Sequence, residues 1–188
     1  MNNSLRNLVE DCPVIAAIKD EEGLRHCLET DINIVFVLYG DICSIADIVE
    51  RLKVNHKTAM VHIDLIGGLS SKEIAVDFIR ERTRADGIIT TKPQLVKRAK
   101  ELGLFTIQRY FVLDSMAVEN ISRQAEPHCT DLIEILPGVM PKVISRICGM
   151  ISIPVIAGGL ISDKEDVLSA LDAGAVAVST TRQEIWEL

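Results

Sequence analysis

The chain has 188 residues, of which 48% are hydrophobic but only 4% aromatic, so its core must be built from Val, Ile, Leu and Ala. Its 20 basic and 27 acidic residues leave a net charge of −7, which argues against non-specific binding to phosphate-rich polymers. That composition excludes a disordered or collagen-like chain, and the length fits one domain over residues 1–188.

The first thirteen residues, MNNSLRNLVEDCP, lack the long apolar run of a signal peptide. No later segment offers the roughly 20 apolar residues that cross a bilayer. A cytoplasmic protein with no membrane partner is expected. Eight short runs rich in Val and Ile then read as strands: 14–19, 34–40, 58–64, 87–91, 105–112, 132–137, 154–159 and 175–181. Each is bounded by Gly, Pro or polar residues, as buried strands are. Between them lie helical patterns. Ser70 with Glu73, and Ser162 with Glu165, have the spacing of capping boxes. Pro93 stands at a first helical position, Leu95, Val96, Ala99 and Leu102 make one apolar face, and Gly103 stops that helix. Ala173-Gly174 ends another helix before the last strand.

Eight alternating strand and helix units predict an α/β fold with a parallel sheet, closed as a (β/α)₈ TIM barrel, small and compact. An open doubly wound sheet is the rival architecture. In a barrel, chemistry gathers at the carboxyl ends of the strands. Here those ends carry Lys19, Asp41, His62 with Asp64, Thr90-Thr91-Lys92, Arg109, Glu134, Gly158-Gly159 and Ser179-Thr180-Thr181. Polar groups at apolar strand ends are costly unless paired or exposed to a ligand.

The sharpest element is Gly158-Gly159 with Ser179 and Thr180. Two glycines let main-chain amides approach an anion, and the hydroxyls precede a short segment, Arg182 to Trp186, whose amides favour phosphate if it is helical. The alternative is that the glycines turn the chain and the hydroxyls cap. Lys19 follows Ile15 and Ala17 on one face of the first strand, where it either meets a ligand or pairs with Asp64 or Glu134. Glu134 alternates with Leu132 and Leu136 and needs a partner, whether Lys19, Arg109 or a ligand hydroxyl. His62 reads first as a core residue, and Asp64 as the better ligand candidate. Lys92, Lys97, Arg98 and Lys100, with Arg80, Arg82 and Arg84, form the densest basic region, a solvated helix face or an RNA contact. The five cysteines are scattered without a C-x-x-C pair, so neither a disulfide framework nor a metal site is expected.

With these residues in view, the chain resembles the glycerol uptake operon antiterminator regulatory proteins over essentially its whole length. The resemblance rests on AAIKD (16–20), FVLYGDI (36–42), VHIDLIGGLS (61–70), DGIITTK (86–92), TIQRYFVLDS (106–115), IEILPGVMPK (133–142), IPVIAGGLI (153–161) and AGAVAVSTT (173–181). IEILPGVMPK and VHIDLI are its specific motifs; AGG and AVSTT are common among phosphate-binding barrels. Thr90 and Thr181 stand where serine is usual, and both keep the hydroxyl. The resemblance implies a regulator that binds glycerol 3-phosphate as effector, uses no cofactor and acts on leader messenger RNA. It places the phosphate at Gly158, Gly159, Ser179 and Thr180, and the glycerol part among Lys19, Asp64, Arg109 and Glu134. For an acidic chain, RNA contact needs one confined basic patch or a homo-oligomer that assembles one.

The rival reading is an aldolase, isomerase or synthase acting on a triose or sugar phosphate, with Lys19 as Schiff base and Asp64 or Glu134 as acid or base. A degenerate barrel serving as an interaction module, with no phosphate ligand, is the third.

Overall fold

In the computed structural model, which describes residues 5–187 apart from the side chains of residues 6 and 7, the eight expected strands are all present. Residues 1–4 and 188, the ends of the expected domain, lie outside the described residues. The strands are β1 (Val14–Ile18), β2 (Ile34–Val37), β3 (Thr58–His62), β4 (Gly87–Thr90), β5 (Phe105–Phe111), β6 (Leu132–Leu136), β7 (Val155–Gly158) and β8 (Ala177–Thr180). All pair in parallel in sequence order, and β8 returns to β1 through Val14 opposite Val178, closing the barrel. The open-sheet alternative is excluded by that last pairing.

Among the described residues seven helices follow strands: α2 (Glu21–Glu29), α3 (Ile45–Val54), α4 (Ile74–Arg82), α5 (Pro93–Glu101), α6 (Ser115–Gln124), α7 (Pro141–Met150) and α8 (Lys164–Asp172). One helix precedes them, α1 (Leu5–Asp11), which strand periodicity did not reveal. Among the described residues no helix is long and apolar enough to cross a membrane.

Alternation along each strand divides two environments. Ala16, Val35, Val61, Ile88, Ile133 and Val178 pack outward against the helices. Ile15, Ala17, Ile34, Phe36, Met60, Ile89, Ile107, Leu132, Ile156 and Ala177 fill the lumen, joined there by Leu5 and Val9 of α1. Helix α1 therefore stoppers the amino end of the barrel. The next inward position on several strands is polar: His62, Arg109, Glu134 and Ser179, all buried. The lumen is oily below and polar above, and the polar layer faces the strand carboxyl ends.

Local signals fared unevenly. Pro93 opens α5, Leu95, Val96 and Ala99 are buried beneath it, and Gly103 follows it at φ +73°. The capping box at Ser70 and Glu73 does not form: α4 begins at Ile74, and the Ser70 hydroxyl instead accepts from the Lys72 amide at 3.3 Å. The box at Ser162 and Glu165 is displaced by one residue. Asp163 caps α8 by accepting from the Asp166 amide at 2.9 Å, and the Asp166 carboxylate reaches back to the Ser162 amide. The Ser162 hydroxyl donates instead to the Asp166 carboxylate at 2.8 Å. The terminal segment expected as a helix is a single 3₁₀ turn, Gln183–Ile185. Asp64 is not on β3, which stops at His62; it sits in a 3₁₀ turn, Ile63–Leu65.

Candidate functional site

The mouth of the barrel holds a cavity of about 830 Å³. Its floor is the polar layer, and its wall is formed by the loops after β7 and β8, with Lys19 and Asp20 on the side of β1. Of the eight residues expected around a ligand, Lys19, Arg109, Glu134, Gly159, Ser179 and Thr180 line it. Gly158 and Asp64 do not.

The floor is a fixed array. Arg109 Nε donates to Glu134 Oε2 at 2.5 Å, and Ser179 Oγ donates to Glu134 Oε1 at 2.6 Å. Glu134 is fully buried, so both oxygens need these donors. Gly158 serves the array from behind. A Cβ at this position would lie 2.5 Å from Glu134 Oε1 and 2.6 Å from Ser179 Oγ, so only glycine leaves the carboxylate its place. The hydroxyl of Thr180 is also committed: it donates to the Ile161 carbonyl at 2.8 Å and accepts from the Arg182 amide at 3.1 Å, tying the two loops together. Trp186 anchors the second loop by donating from Nε1 to the Thr180 carbonyl.

The loop after β7 carries two consecutive left-handed residues, Gly159 at φ +75° and Leu160 at φ +63°. Leucine in that region is strained, and such strain concentrates at binding sites. The Leu160 side chain is 73% exposed beside the cavity. Among the described residues, the amides of Leu160, Ile161, Thr181 and Gln183 have no hydrogen-bond acceptor. Sequence reading expected amide donors in these two loops but did not identify Leu160, Ile161 and Thr181 as the residues that carry them. A left-handed leucine leaves no composition signal, although Gly159 and Thr181 flanked the right segments.

Lys19 stands free of any carboxylate among the described residues, so of its two readings the salt bridge to Asp64 or Glu134 is not formed. Arg182, likewise unpaired, is a second cation on the cavity wall. Opposing them are Glu22 and Glu184, while the Asp20 carboxylate is occupied in capping α2 through the Gly23 amide. With formal charge nearly balanced, the free amides tip the site toward an anion.

Asp64 is spent elsewhere. It accepts from Thr90 Oγ1, Thr91 Oγ1, the Thr91 amide and Lys92 Nζ at 2.8–3.1 Å. Burial pushes its carboxyl up, but these donors outweigh burial and hold it below its usual range. The cluster buttresses the loop after β4. The basic region on α5 is largely neutralised as well. Lys92 pairs with Asp64, Arg98 with Asp77 and Glu101, and Lys100 with Asp131. Of the four basic residues expected to meet RNA, Lys97 alone keeps an unpaired charge among the described residues.

His62 lies in the lumen with Nδ1 unpartnered, and burial followed by the nearby Arg109 guanidinium pushes its pKa down to about 4. The unfolded chain binds a proton at His62 near pH 6.5 and the folded chain does not. Stability is therefore fully present above that value and falls as pH drops toward 4. About 2 kcal/mol should be lost between about pH 7 and pH 5. His62→Gln should flatten that part of the urea-denaturation profile; an unchanged slope would show that His62 does not titrate as described.

The model of the glycerol-3-phosphate responsive antiterminator family matches residues 14–186. The chain belongs to this family. It is 44% identical over 184 residues to the uncharacterized protein YgcP of Escherichia coli, covering 98% of this chain and 96% of that one. A crystal structure of a glycerol uptake operon antiterminator regulatory protein from Listeria monocytogenes superposes with a TM-score of 0.89 at 31% identity, over 94% of this chain and 95% of its own. An antiterminator-related protein from Thermotoga maritima gives 0.80 at 34% identity, over 93% and 98%. Deoxyribose phosphate aldolase from Aeropyrum pernix gives 0.70 at 14% identity, over 95% and 88%, a likeness of fold alone. The antiterminator family is one of regulators, which sets the phosphosugar-enzyme reading aside.

Proposed function

We propose that this chain captures glycerol 3-phosphate in the mouth cavity and, so loaded, acts on leader messenger RNA to prevent premature termination. The observation that carries the ligand half is that Leu160, Ile161, Thr181 and Gln183, whose amides have no acceptor among the described residues, line the same cavity as the Arg109–Glu134–Ser179 array. The phosphate sits among those amides beside Gly159, with Lys19 and Arg182 supplying charge. The glycerol hydroxyls face Glu134. Gly158, Ser179 and Thr180 then act by shaping the site, since the two hydroxyls already have partners.

A ligand changes RNA affinity only by binding the RNA-competent state more tightly. The loop after β7 is joined to the loop after β6 by the Gly138 amide donating to the Gly159 carbonyl at 3.0 Å. Phosphate contact at Gly159 therefore pulls on a second loop. Equal RNA affinity with and without glycerol 3-phosphate would refute this coupling.

Thermal denaturation tests the ligand half. At 100-fold over its dissociation constant a ligand adds ~2.7 kcal/mol, or roughly 5–10 °C for a chain of this length. Glycerol 3-phosphate should give that rise, and glycerol little. Absence of any rise overturns the site, and turnover of a triose phosphate would return the enzyme reading.

A further inference from the structure

On β5, Ile107 and Arg109 face the lumen, so Gln108 and Tyr110 face outward beneath the helices. Gln108 Nε2, Tyr110 Oη and, on the adjoining loop, Thr130 Oγ1 are buried without a hydrogen-bond partner; the fourth such atom among the described residues is in His62. Orphaned buried polar groups are rare because each forfeits its hydration, and here three share one side of the barrel. They lie beneath the seam between α5 and the end of α6. The seam holds a cavity of about 190 Å³ lined by Pro93, Val96, Lys97, Gln108, Glu126 and Thr130 among others.

We infer that this seam takes one unstacked base of a single-stranded RNA, an inference resting on the RNA-binding reading above. The volume is below the roughly 300–1,000 Å³ of pockets for drug-sized ligands, so it admits one ring system. An apolar guest would leave Gln108 and Thr130 unpaired, and a bare anion would meet Glu126. A base answers both: its edge offers donors and acceptors to the Gln108 amide, the Thr130 hydroxyl and the Glu126 carboxylate, and its flat face lies on Pro93 and Val96. Lys97, the unpaired cation of α5, borders the cavity where the adjoining phosphate would pass.

Fluorescence anisotropy with short single-stranded homopolymers of A, C, G and U, each with glycerol 3-phosphate present, tests the assignment. Wild type should bind at least one of them. Gln108→Leu and Thr130→Val should each weaken that binding about tenfold, with the melting rise on adding glycerol 3-phosphate retained. Lys97→Glu should lower the salt slope by about one, and Lys142→Glu on α7 should not match its loss of affinity. If wild type binds RNA and the seam variants bind equally well, the seam is not the site. If wild type binds none of the four, the RNA-binding reading itself falls, and this inference with it.

Discussion

Replacing Glu134 with leucine should cost about 3–5 kcal/mol, because it leaves the Arg109 guanidinium buried without its counter-charge. Glu134 is 0% exposed and Arg109 7%. The pair is far more shielded than surface pairs such as Arg84 with Glu50, so water entering through the cavity mouth replaces the lost partner only in part. For a chain of this size the loss corresponds to a fall of roughly 6–20 °C in Tm. The double variant Arg109→Met, Glu134→Leu should regain most of it, since two apolar groups of similar volume owe no desolvation. Both should abolish the stabilisation by glycerol 3-phosphate. A single variant that melts within a degree or so of wild type would show that the pair is not the closed unit described here.

The second large effect is expected at Gly158. Alanine there places a methyl group 2.5 Å from Glu134 Oε1 and 2.6 Å from Ser179 Oγ, closer than atoms can sit. The carboxylate must swing away, and the Ser179 bond breaks with it. Overpacking of this kind costs about 1–3 kcal/mol, and here the melting rise on adding glycerol 3-phosphate should vanish as well. Ser179→Ala removes the same hydrogen bond without crowding. It should cost less and keep part of the ligand response, because Arg109 still holds Glu134. Calorimetric titration of the three proteins with glycerol 3-phosphate gives the order. If Gly158→Ala binds as wild type does, the floor does not depend on the fixed carboxylate.

Much of this architecture could be read from the residue pattern, for a simple reason. In a parallel barrel each strand is buried on both faces, so it appears as a short unbroken apolar run between turn residues. All eight runs were found that way, with ends off by one to three residues. The pairing of Arg109 with Glu134 was open to the same reasoning, since a carboxylate among leucines must find a cation or a hydroxyl. Asp64 shows where the reasoning stopped. The apolar run 58–64 puts it at the carboxyl end of the third strand with His62, but the chain enters a 3₁₀ turn after His62 and carries Asp64 out to the Thr90-Thr91-Lys92 loop. Nothing in the local sequence marks that bend. The basic residues of α5 mislead similarly: their acid partners, Asp64, Asp77 and Asp131, are distant in sequence, so a helix that reads as positive is nearly neutral in place.

Helix α1, with Leu5 and Val9 pressed into the bottom of the lumen, makes the barrel a blind well. A metabolite must come and go by one door, past Leu160. A transcript held on the flank at α5 and α6 would leave that door open, so the regulator could empty as its effector runs short and let go of the message from within the complex. Sensing would then proceed on the already engaged molecule, without a round of dissociation first.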